Sequence, residues 1–162
     1  MFKQFLLGLA CALIAIPASA QNAGEIARVQ SGQSCPGCNL FQADLAYRDL
    51  PGIDVSGARL RQANLSLSTL NGADFSGTDL SIANLFGARL TGAKLGNANL
   101  GRAVMVGTYL GGADLSGANL AGVNLSGAEL ETAKGLTQSQ LNAACGDAST
   151  RLPAGLGIPR CR

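Results

Sequence analysis

The chain has 162 residues, of which 47% are hydrophobic, with twelve basic and ten acidic residues and a formal net charge of +2. This near balance of charge disfavours a nucleic-acid partner, since nonspecific binding depends on a strongly basic surface. Histidine is absent from the sequence, which excludes catalytic dyads and triads built on histidine and removes the commonest metal ligand. We therefore expect no catalytic residues, no cofactor and no metal site.

Residues 1–20 have the organisation of a secretory signal peptide. Lys3 gives a positive start, an apolar run follows over 5–16, and Ala18-Ser19-Ala20 is a small-x-small cleavage site. The apolar run is shorter than the roughly twenty residues that a membrane span needs, so an uncleaved anchor is the weaker alternative. We expect cleavage after Ala20, a periplasmic or secreted product, and no membrane span in the mature chain.

Residues 21–34 are rich in Gln, Gly and Ser and predict a flexible lead-in. A CxxC motif, Cys35-Pro36-Gly37-Cys38, follows it. Such pairs exchange with other thiols when the pKa of one thiol is lowered, usually by a helix that begins directly after the first cysteine. Here the chain enters a repeat array instead, so we favour a structural bridge. A thiol–disulfide redox protein that uses Cys35 and Cys38 is the alternative.

Every fifth residue from Leu40 to Leu130 is large and apolar, and sixteen of these nineteen residues are Leu. Twelve of the nineteen have Ala two positions earlier, and eleven have Gly two positions later. An α-helix would scatter a five-residue period around all its sides, and a flat strand would send successive Leu residues to opposite faces. The chain must therefore turn a corner every five residues, so that four short sides make one coil and stacked coils share an interior.

The repeated unit, Ala-Asn-Leu at 83–85 and again at 118–120, closely resembles the motif of the pentapeptide-repeat family, approximately Ala-(Asp/Asn)-Leu-x-x. The resemblance covers 38–132 and implies an all-β fold, a right-handed quadrilateral β-helix of about five coils. It also implies that the large residue and the small residue two positions earlier face inward. We assign 35–133 to this solenoid, which would be roughly 23 Å long at the usual strand spacing. Arg48 and Ile53 occupy small-residue positions on either side of Pro51, so we expect an irregular first coil.

Most of the acidic residues follow the repeat as well. Seven of the ten carboxylates directly precede the large residue of a unit, namely Asp44, Asp49, Asp54, Asp74, Asp79, Asp114 and Glu129. Because their placement follows the motif, we interpret them as solvated or turn-bonding groups rather than as acid–base catalysts.

Residues 134–162 predict a cap at the C-terminal end of the solenoid. Thr137 and Gln140 form a capping-box pattern, which predicts a short helix over about 138–145 that ends at Gly146. The Pro- and Gly-rich chain that follows predicts irregular structure. This segment also resembles the cysteine-containing tail of exported bacterial members of the family.

Four cysteines remain after removal of the signal peptide, and an even number in an exported chain suggests disulfides. Bridged Cα atoms must lie within about 7 Å, whereas the two pairs flank opposite ends of the rod. Pairing of Cys35 with Cys38 and of Cys145 with Cys161 is therefore favoured. A four-cysteine zinc site and reduced or differently paired thiols stay open as alternatives.

Residues twenty apart share a side of the rod, so the sequence predicts a stripe of outward apolar residues. Tyr47, Leu67, Phe86 and Val106 form this stripe, and Phe41 and Ile82 lie on the adjacent side. A contiguous exposed apolar strip often marks an interface, so we expect a homodimer or an unknown protein partner to bind here. In the alternatives, the tail after Gly146 covers the stripe or the stripe has no role.

These features predict a non-enzymatic exported module with a structural or protein–protein interaction role, in the periplasm of a Gram-negative bacterium. Some members of the family imitate duplex DNA in outline and charge and protect topoisomerases, which gives a further alternative. Removal of Lys3 with the signal peptide leaves eleven basic against ten acidic residues, a charge near +1. DNA mimicry needs a strongly negative rod, and export would separate the chain from a cytoplasmic topoisomerase, so this alternative is disfavoured.

Overall fold

The structure is a computed structural model that describes residues 21–162, so the predicted signal peptide lies outside the described residues. Its main body is held together by parallel bridges between single residues. Sixteen of the nineteen bridges in the described chain join residues that are twenty apart, such as Asn64 to Asn84 and Asn84 to Val104. Each coil therefore contains four five-residue units, one for each side, and the coils stack in parallel.

A tight turn forms each corner of the coil. In the unit after Leu40, the N–H of Ala43 donates to the Leu40 carbonyl over 3.0 Å, and Gln42 between them has a φ of 55°. A positive φ at the third residue alone is the geometry of a type II turn, which favours glycine at that position. This explains the frequent Gly two residues after the large apolar residue, for example Gly52 with a φ of 67°.

Two inward residues of each unit build the core. The large residues, such as Leu65 and Leu85, are fully buried, and the small residues at the fourth position of each turn are buried between them. Three of the small positions carry a hydroxyl group, and each of these donates to a backbone carbonyl, for example Thr78 to Val55 over 3.0 Å. The interior therefore keeps its polar groups satisfied, as buried groups must be.

Several Asp and Asn residues that directly precede a large apolar residue stabilise the next corner. Asp74 accepts the backbone N–H of Ser76 over 3.0 Å, and its carboxylate also lies 3.2 Å from the Lys94 ammonium in the next coil. Hydrogen bonds from Ser76, with a smaller contribution from Lys94, lower the pKa of Asp74. The same bond to the second residue along recurs at Asp44, Asp54, Asp79 and Asp114. These carboxylates therefore belong to the repeat geometry.

The first coil is regular, and the expected irregularity at Arg48 and Ile53 was wrong. The twenty-residue register continues through this region, since Asp49 pairs with Thr69 and Asp54 with Asp74. The N–H groups of Arg48 and Ile53 still close their turns, although both bonds lengthen to 3.4 Å. Arg48 is exposed, whereas Ile53 is buried, so only the bulkier polar side chain leaves the interior.

A helix forms in the region that we expected to be a flexible lead-in. Helix α1 spans Ala23–Gln30, and the Asn22 side chain caps it by accepting the N–H of Glu25. Val29 is buried, and Ile26 packs against the same core at the N-terminal end of the solenoid. Composition alone concealed this helix, because its stability depends on packing against the first coil.

Helix α1 also satisfies backbone groups at the open edge of the first coil. The Glu25 carboxylate accepts the Asn39 N–H over 2.6 Å, and the Gln30 side chain donates to the Asp44 carbonyl over 2.8 Å. An uncovered solenoid end would expose both its apolar interior and unpaired backbone groups. Helix α1 is therefore the N-terminal cap.

The second helix, α2, spans Gln138–Asn142 and is shorter than the predicted 138–145. The Thr137–Gln140 capping box is present, and Leu141 is fully buried beneath the last repeats. The helix ends early because the chain returns to the coil. The Gly122 N–H donates to the Ala143 carbonyl over 2.7 Å, and Leu125 donates to Cys145 over 2.8 Å. Helix α2 therefore replaces one side of an irregular sixth turn.

The tail after Gly146 continues this cap. Asp147 accepts hydrogen bonds from the Ser149 hydroxyl and the Gly127 N–H, and these bonds lower the pKa of Asp147 to about 2. The Gly146 N–H donates to the Pro159 carbonyl over 2.8 Å, and the apolar residues of the tail pack against the C-terminal end of the core. Within residues 21–162, no helix has the length and apolar character that crossing a membrane requires.

We expect Val29→Ala to lower the free energy of unfolding by about 2 kcal/mol, because it removes two buried methyl groups from the N-terminal cap. Urea denaturation followed by circular dichroism measures this change. Arg28→Ala, an exposed site on the same helix, is the matched control and should have little effect. Equal effects of the two substitutions would show that helix α1 does not cap the solenoid.

Candidate interaction surface

The side that carries most of the predicted stripe has five layers. Its inward residues are Leu45, Leu65, Leu85, Met105 and Leu125, and we call it the Leu65 face. Two corners border it. The Leu67 corner contains 46–47, 66–67, 86–87, 106–107 and 126–127. The Ile82 corner contains 41–42, 61–62, 81–82, 101–102 and 121–122. Because residues twenty apart stack, each corner is a straight row of side chains along the rod.

Four of the six predicted interface residues are exposed in the structure. Tyr47 is 77% exposed, Phe86 47%, Leu67 46% and Ile82 38%, which is unusual for large apolar side chains. Val106 and Phe41, in contrast, are half-buried. The tail packs at the C-terminal end of the solenoid and leaves the exposed residues uncovered.

The structure also exposes two apolar residues that the sequence analysis missed. Val104 is 41% exposed in the middle of the Leu65 face, and Tyr109 is 42% exposed on the neighbouring side. Both occupy the position before the large residue, where the motif normally has Asp or Asn. That departure from the motif was the available signal. The Arg89 guanidinium lies 5.8 Å from the centre of the Tyr109 ring. One face of this ring therefore already has a cation–π contact within the chain.

Polar groups on the Leu65 face are mostly amides in ladders. Asn64 donates to Asp44 over 3.3 Å, Asn84 donates to Asn64 over 3.5 Å, and Val104 ends this ladder. Gln42 donates to Gln62 over 3.3 Å at the Ile82 corner. An amide ladder with exposed apolar groups beside it can bind through van der Waals contact and neutral hydrogen bonds. The charged groups of this face and its corners include Asp44, Arg61 and Arg102.

The backbone of the two corners is strained. In the described chain seven residues other than glycine have a positive φ, and six of them lie on the corners of the Leu65 face. The Leu67 corner has Tyr47 and Leu67. The Ile82 corner has Gln42, Gln62, Ile82 and Arg102. The seventh is Asn97, a residue type that tolerates this conformation.

Glycine would relieve this strain at every one of these corner positions. A left-handed conformation costs an ordinary L-residue about 1–2 kcal/mol, and glycine occupies the equivalent positions of other corners, as at Gly72 and Gly92. Local strain that is concentrated in one region of a fold is a signal of function. The strained corners and the exposed apolar residues therefore identify the same surface.

The CxxC motif forms a corner of the first coil. Cys35 is bonded to Cys38, and Cys38 donates its N–H to the Cys35 carbonyl around a turn in which Gly37 has a φ of 70°. Cys35 is 1% exposed and occupies the inward position that Leu has elsewhere. A turn without a following helix offers no helix N-terminus to stabilise a thiolate.

The second disulfide joins Cys145 to Cys161 and fastens the C-terminal tail to the sixth turn. Both bonds therefore lie in the end structures of the rod. The Cys161 sulfur also lies 3.3 Å from the Asn124 side-chain oxygen and 3.6 Å from the Ser126 hydroxyl, at the C-terminal end of the Leu65 face. Among the described residues no group of His, Cys, Asp and Glu is arranged to hold a metal ion, and no pocket is found. The exposed surface, rather than a cleft, is the candidate site.

The repeat identified in the sequence and seen in the coil also matches a known family. The pentapeptide-repeat pattern matches in eight copies over residues 38–77, 83–120 and 107–134, which together make up more than half of the chain. The chain belongs to the pentapeptide-repeat family. Membership accounts for the five-residue period, the four-sided coil and the inward Leu and Ala residues. None of the curated proteins matches the chain.

Solved pentapeptide-repeat proteins are similar in sequence. One, from the Arabidopsis thaliana thylakoid lumen, is 30% identical over 63% of this chain and 71% of that protein, with a TM-score of 0.46. Another, from Nostoc Pcc 7120, is 26% identical over 86% of this chain and 91% of that protein, with a TM-score of 0.44.

We expect the Cys35–Cys38 bond to resist reduction by glutathione, with a reduction potential below about −300 mV, as buried structural disulfides have. The physical reason is the burial of Cys35 and the lack of a group that stabilises its thiolate. Equilibration in glutathione buffers, followed by thiol alkylation and mass spectrometry, measures the potential. Ready reduction, together with insulin-reductase activity, would instead support the redox alternative.

We expect Ile82→Gly to raise the free energy of unfolding by about 0.5–1 kcal/mol, because relief of the left-handed strain outweighs the entropy cost of glycine. Val104→Gly is the matched control, since Val104 has similar exposure on the same face and no positive φ. It should lower the free energy of unfolding by about 0.5–1 kcal/mol. Urea denaturation distinguishes the two signs, and destabilisation by both substitutions would contradict the argument from strain.

Proposed function

We propose that this pentapeptide-repeat protein is a non-enzymatic, exported interaction module that binds a protein through the Leu65 face and its two corners. The coincidence of backbone strain with exposed apolar side chains carries the proposal. Six strained residues and five exposed apolar residues, Tyr47, Leu67, Ile82, Phe86 and Val104, share this surface. A surface that merely faced solvent would gain nothing from either feature.

Export is part of the proposal and is supported by the sequence of residues 1–20 and by the two disulfides. Disulfides persist in oxidising compartments such as the periplasm and are rare in the cytosol. The similar protein from Arabidopsis thaliana is described as a thylakoid lumen protein. We also infer the right-handed sense of the coil from family membership.

The two alternative functions are less well supported. The buried Cys35 and the turn geometry of the CxxC motif disfavour a redox enzyme. A DNA mimic needs a continuous negative surface. Here basic residues interrupt the acidic ones along the rod. Lys94 stacks on Asp74 on one side, and Arg59 stacks next to Asp79 on another. QnrB1, a plasmid-mediated fluoroquinolone resistance protein, is 22% identical to the chain and indicates the shared fold alone.

Photo-crosslinking in cells that naturally produce the chain tests the proposed surface. Benzoylphenylalanine in place of Phe86 should give discrete adducts heavier than the chain, because this position lies in the binding surface. The same group in place of Thr91 is the matched control, since Thr91 is exposed in the same coil but on a corner outside the Leu65 face. Adducts of equal yield at both positions, or at neither, would sink the proposal.

A further inference from the structure

We propose that the Leu65 face binds a second copy of this chain, with the two rods antiparallel about a twofold axis through the third layer. The inference deepens the proposed function, since it rests on the same surface and names the occupant. The variation of side-chain size along the face carries the argument. The layers are numbered by their inward residues, from Leu45 in layer 1 to Leu125 in layer 5.

The Leu67 corner has large side chains at its N-terminal end and glycine in its last three layers. Its left-handed position is occupied by Tyr47 in layer 1 and Leu67 in layer 2, and by Gly87, Gly107 and Gly127 in layers 3 to 5. Leu67 leans across Gly87, where an added Cβ would lie 2.7 Å from its Cδ2 atom. At Gly107 an added Cβ would meet nothing within 4 Å, whereas at Gly127 it would lie 3.4 Å from the Ser149 hydroxyl of the tail, so the open step of this corner is at Gly107.

An antiparallel twofold pairing matches the large side chains of one copy to the glycine layers of the other. A twofold axis across the rods places each layer n against layer 6 − n and sets each corner against the same corner of the second copy. Leu67 then lies against the open step at Gly107, Tyr47 lies against Gly127 beside Ser149, and the two copies of Phe86 meet on the axis. A parallel pairing would set Tyr47 against Gln42 and leave the glycine ends apart.

The side chains of the Ile82 corner and of the centre of the face are also compatible with this twofold rotation. The two copies of Ile82 meet near the axis, Gln42 faces the small Gly122, and Gln62 faces Arg102, whose guanidinium can donate to the amide oxygen. Val104 lies against Asn64 and Val106 lies against Ser66, so two of the contacts join an apolar to a polar residue, and Asn64 keeps its bonds to neighbouring layers. No like charges oppose each other among these pairs.

The size of the face indicates a weak dimer. Five layers at about 4.8 Å and five residues at about 3.3 Å give a flat area of about 400 Å² for each copy. Specific interfaces usually bury about 800 Å² per partner, so this one lies below the usual range. We therefore expect a reversible dimer with a dissociation constant in the micromolar range or weaker.

Sedimentation equilibrium of the mature chain over about 1–500 μM, the range that a small interface calls for, tests the dimer. We expect a concentration-dependent shift from monomer to dimer. Gly107→Asn should weaken the dimer about tenfold or more, because it fills the step that receives Leu67 at two symmetric places. Gly92→Asn is the matched control, since Gly92 has the same φ region and the same free space on a corner outside the face.

Single cysteine substitutions test the orientation. Phe86→Cys should form a disulfide-linked dimer on oxidation, because the twofold axis brings residue 86 of both copies together. Tyr47→Cys should not link to itself but should link to Gly127→Cys when the two variants are mixed. Thr91→Cys, in the same layer as Phe86 but on another corner, is the matched control and should remain monomeric. Each variant keeps the four native cysteines, whose pairing is checked by mass spectrometry.

A chain that remains monomeric at 500 μM would overturn the second-copy proposal, as would equal effects of Gly107→Asn and Gly92→Asn. A dimer that links through position 91 but not through position 86 would also overturn it. These results leave the proposed function separately testable. Cross-links from position 86 to a different protein, with a monomeric pure chain, would refute the second copy and support binding of another partner.

Discussion

The twenty-residue hydrogen-bond register between coils is the constraint on which the rest of the structure depends. The N–H of Leu65 donates to the Asn84 carbonyl of the next coil over 2.7 Å, and the N–H of Asn64 donates to the Ala43 carbonyl of the preceding coil over 2.9 Å, so each side is tied to both neighbouring coils. No single coil can bury its Leu residues, but this register aligns them into one interior. It also places every outward residue directly over one twenty positions away, so any surface pattern is a straight row.

Stacking removes side-by-side strand edges but leaves two open ends, and the chain covers them in different ways. At the N-terminal end, helix α1 packs Val29 on the first coil while the Glu25 and Gln30 side chains pair with its backbone. At the other end, α2 replaces one side of the coil, and the Cys145–Cys161 bond holds the tail in place. In a short solenoid the two end coils make up a large fraction of the fold, so exposure of their apolar interior would lower the free energy of unfolding considerably. Both caps are therefore integral to its stability.

The two corners of the Leu65 face show a trade between stability and surface shape. Glycine would be the least strained residue at each turn, yet Tyr47, Leu67 and Ile82 project side chains from the left-handed positions. The strain costs about 1–2 kcal/mol for each such residue, and the regular core can carry that cost. What the molecule gains is a row of projecting groups at a defined spacing.

The sequence by itself determined the coil, because a period of five fits neither a helix nor a strand, and it placed Tyr47, Leu67, Phe86 and Ile82 on the outside. It also indicated the capping box of α2. Only the tertiary structure decided where α1 forms, since the packing of Val29 against the first coil stabilises a segment whose composition suggested flexible chain. The tertiary structure also decided the length of α2, the partial burial of Val106 and the backbone strain at the Ile82 corner. Backbone angles and exposure depend on neighbouring coils twenty residues away, which no local pattern contains.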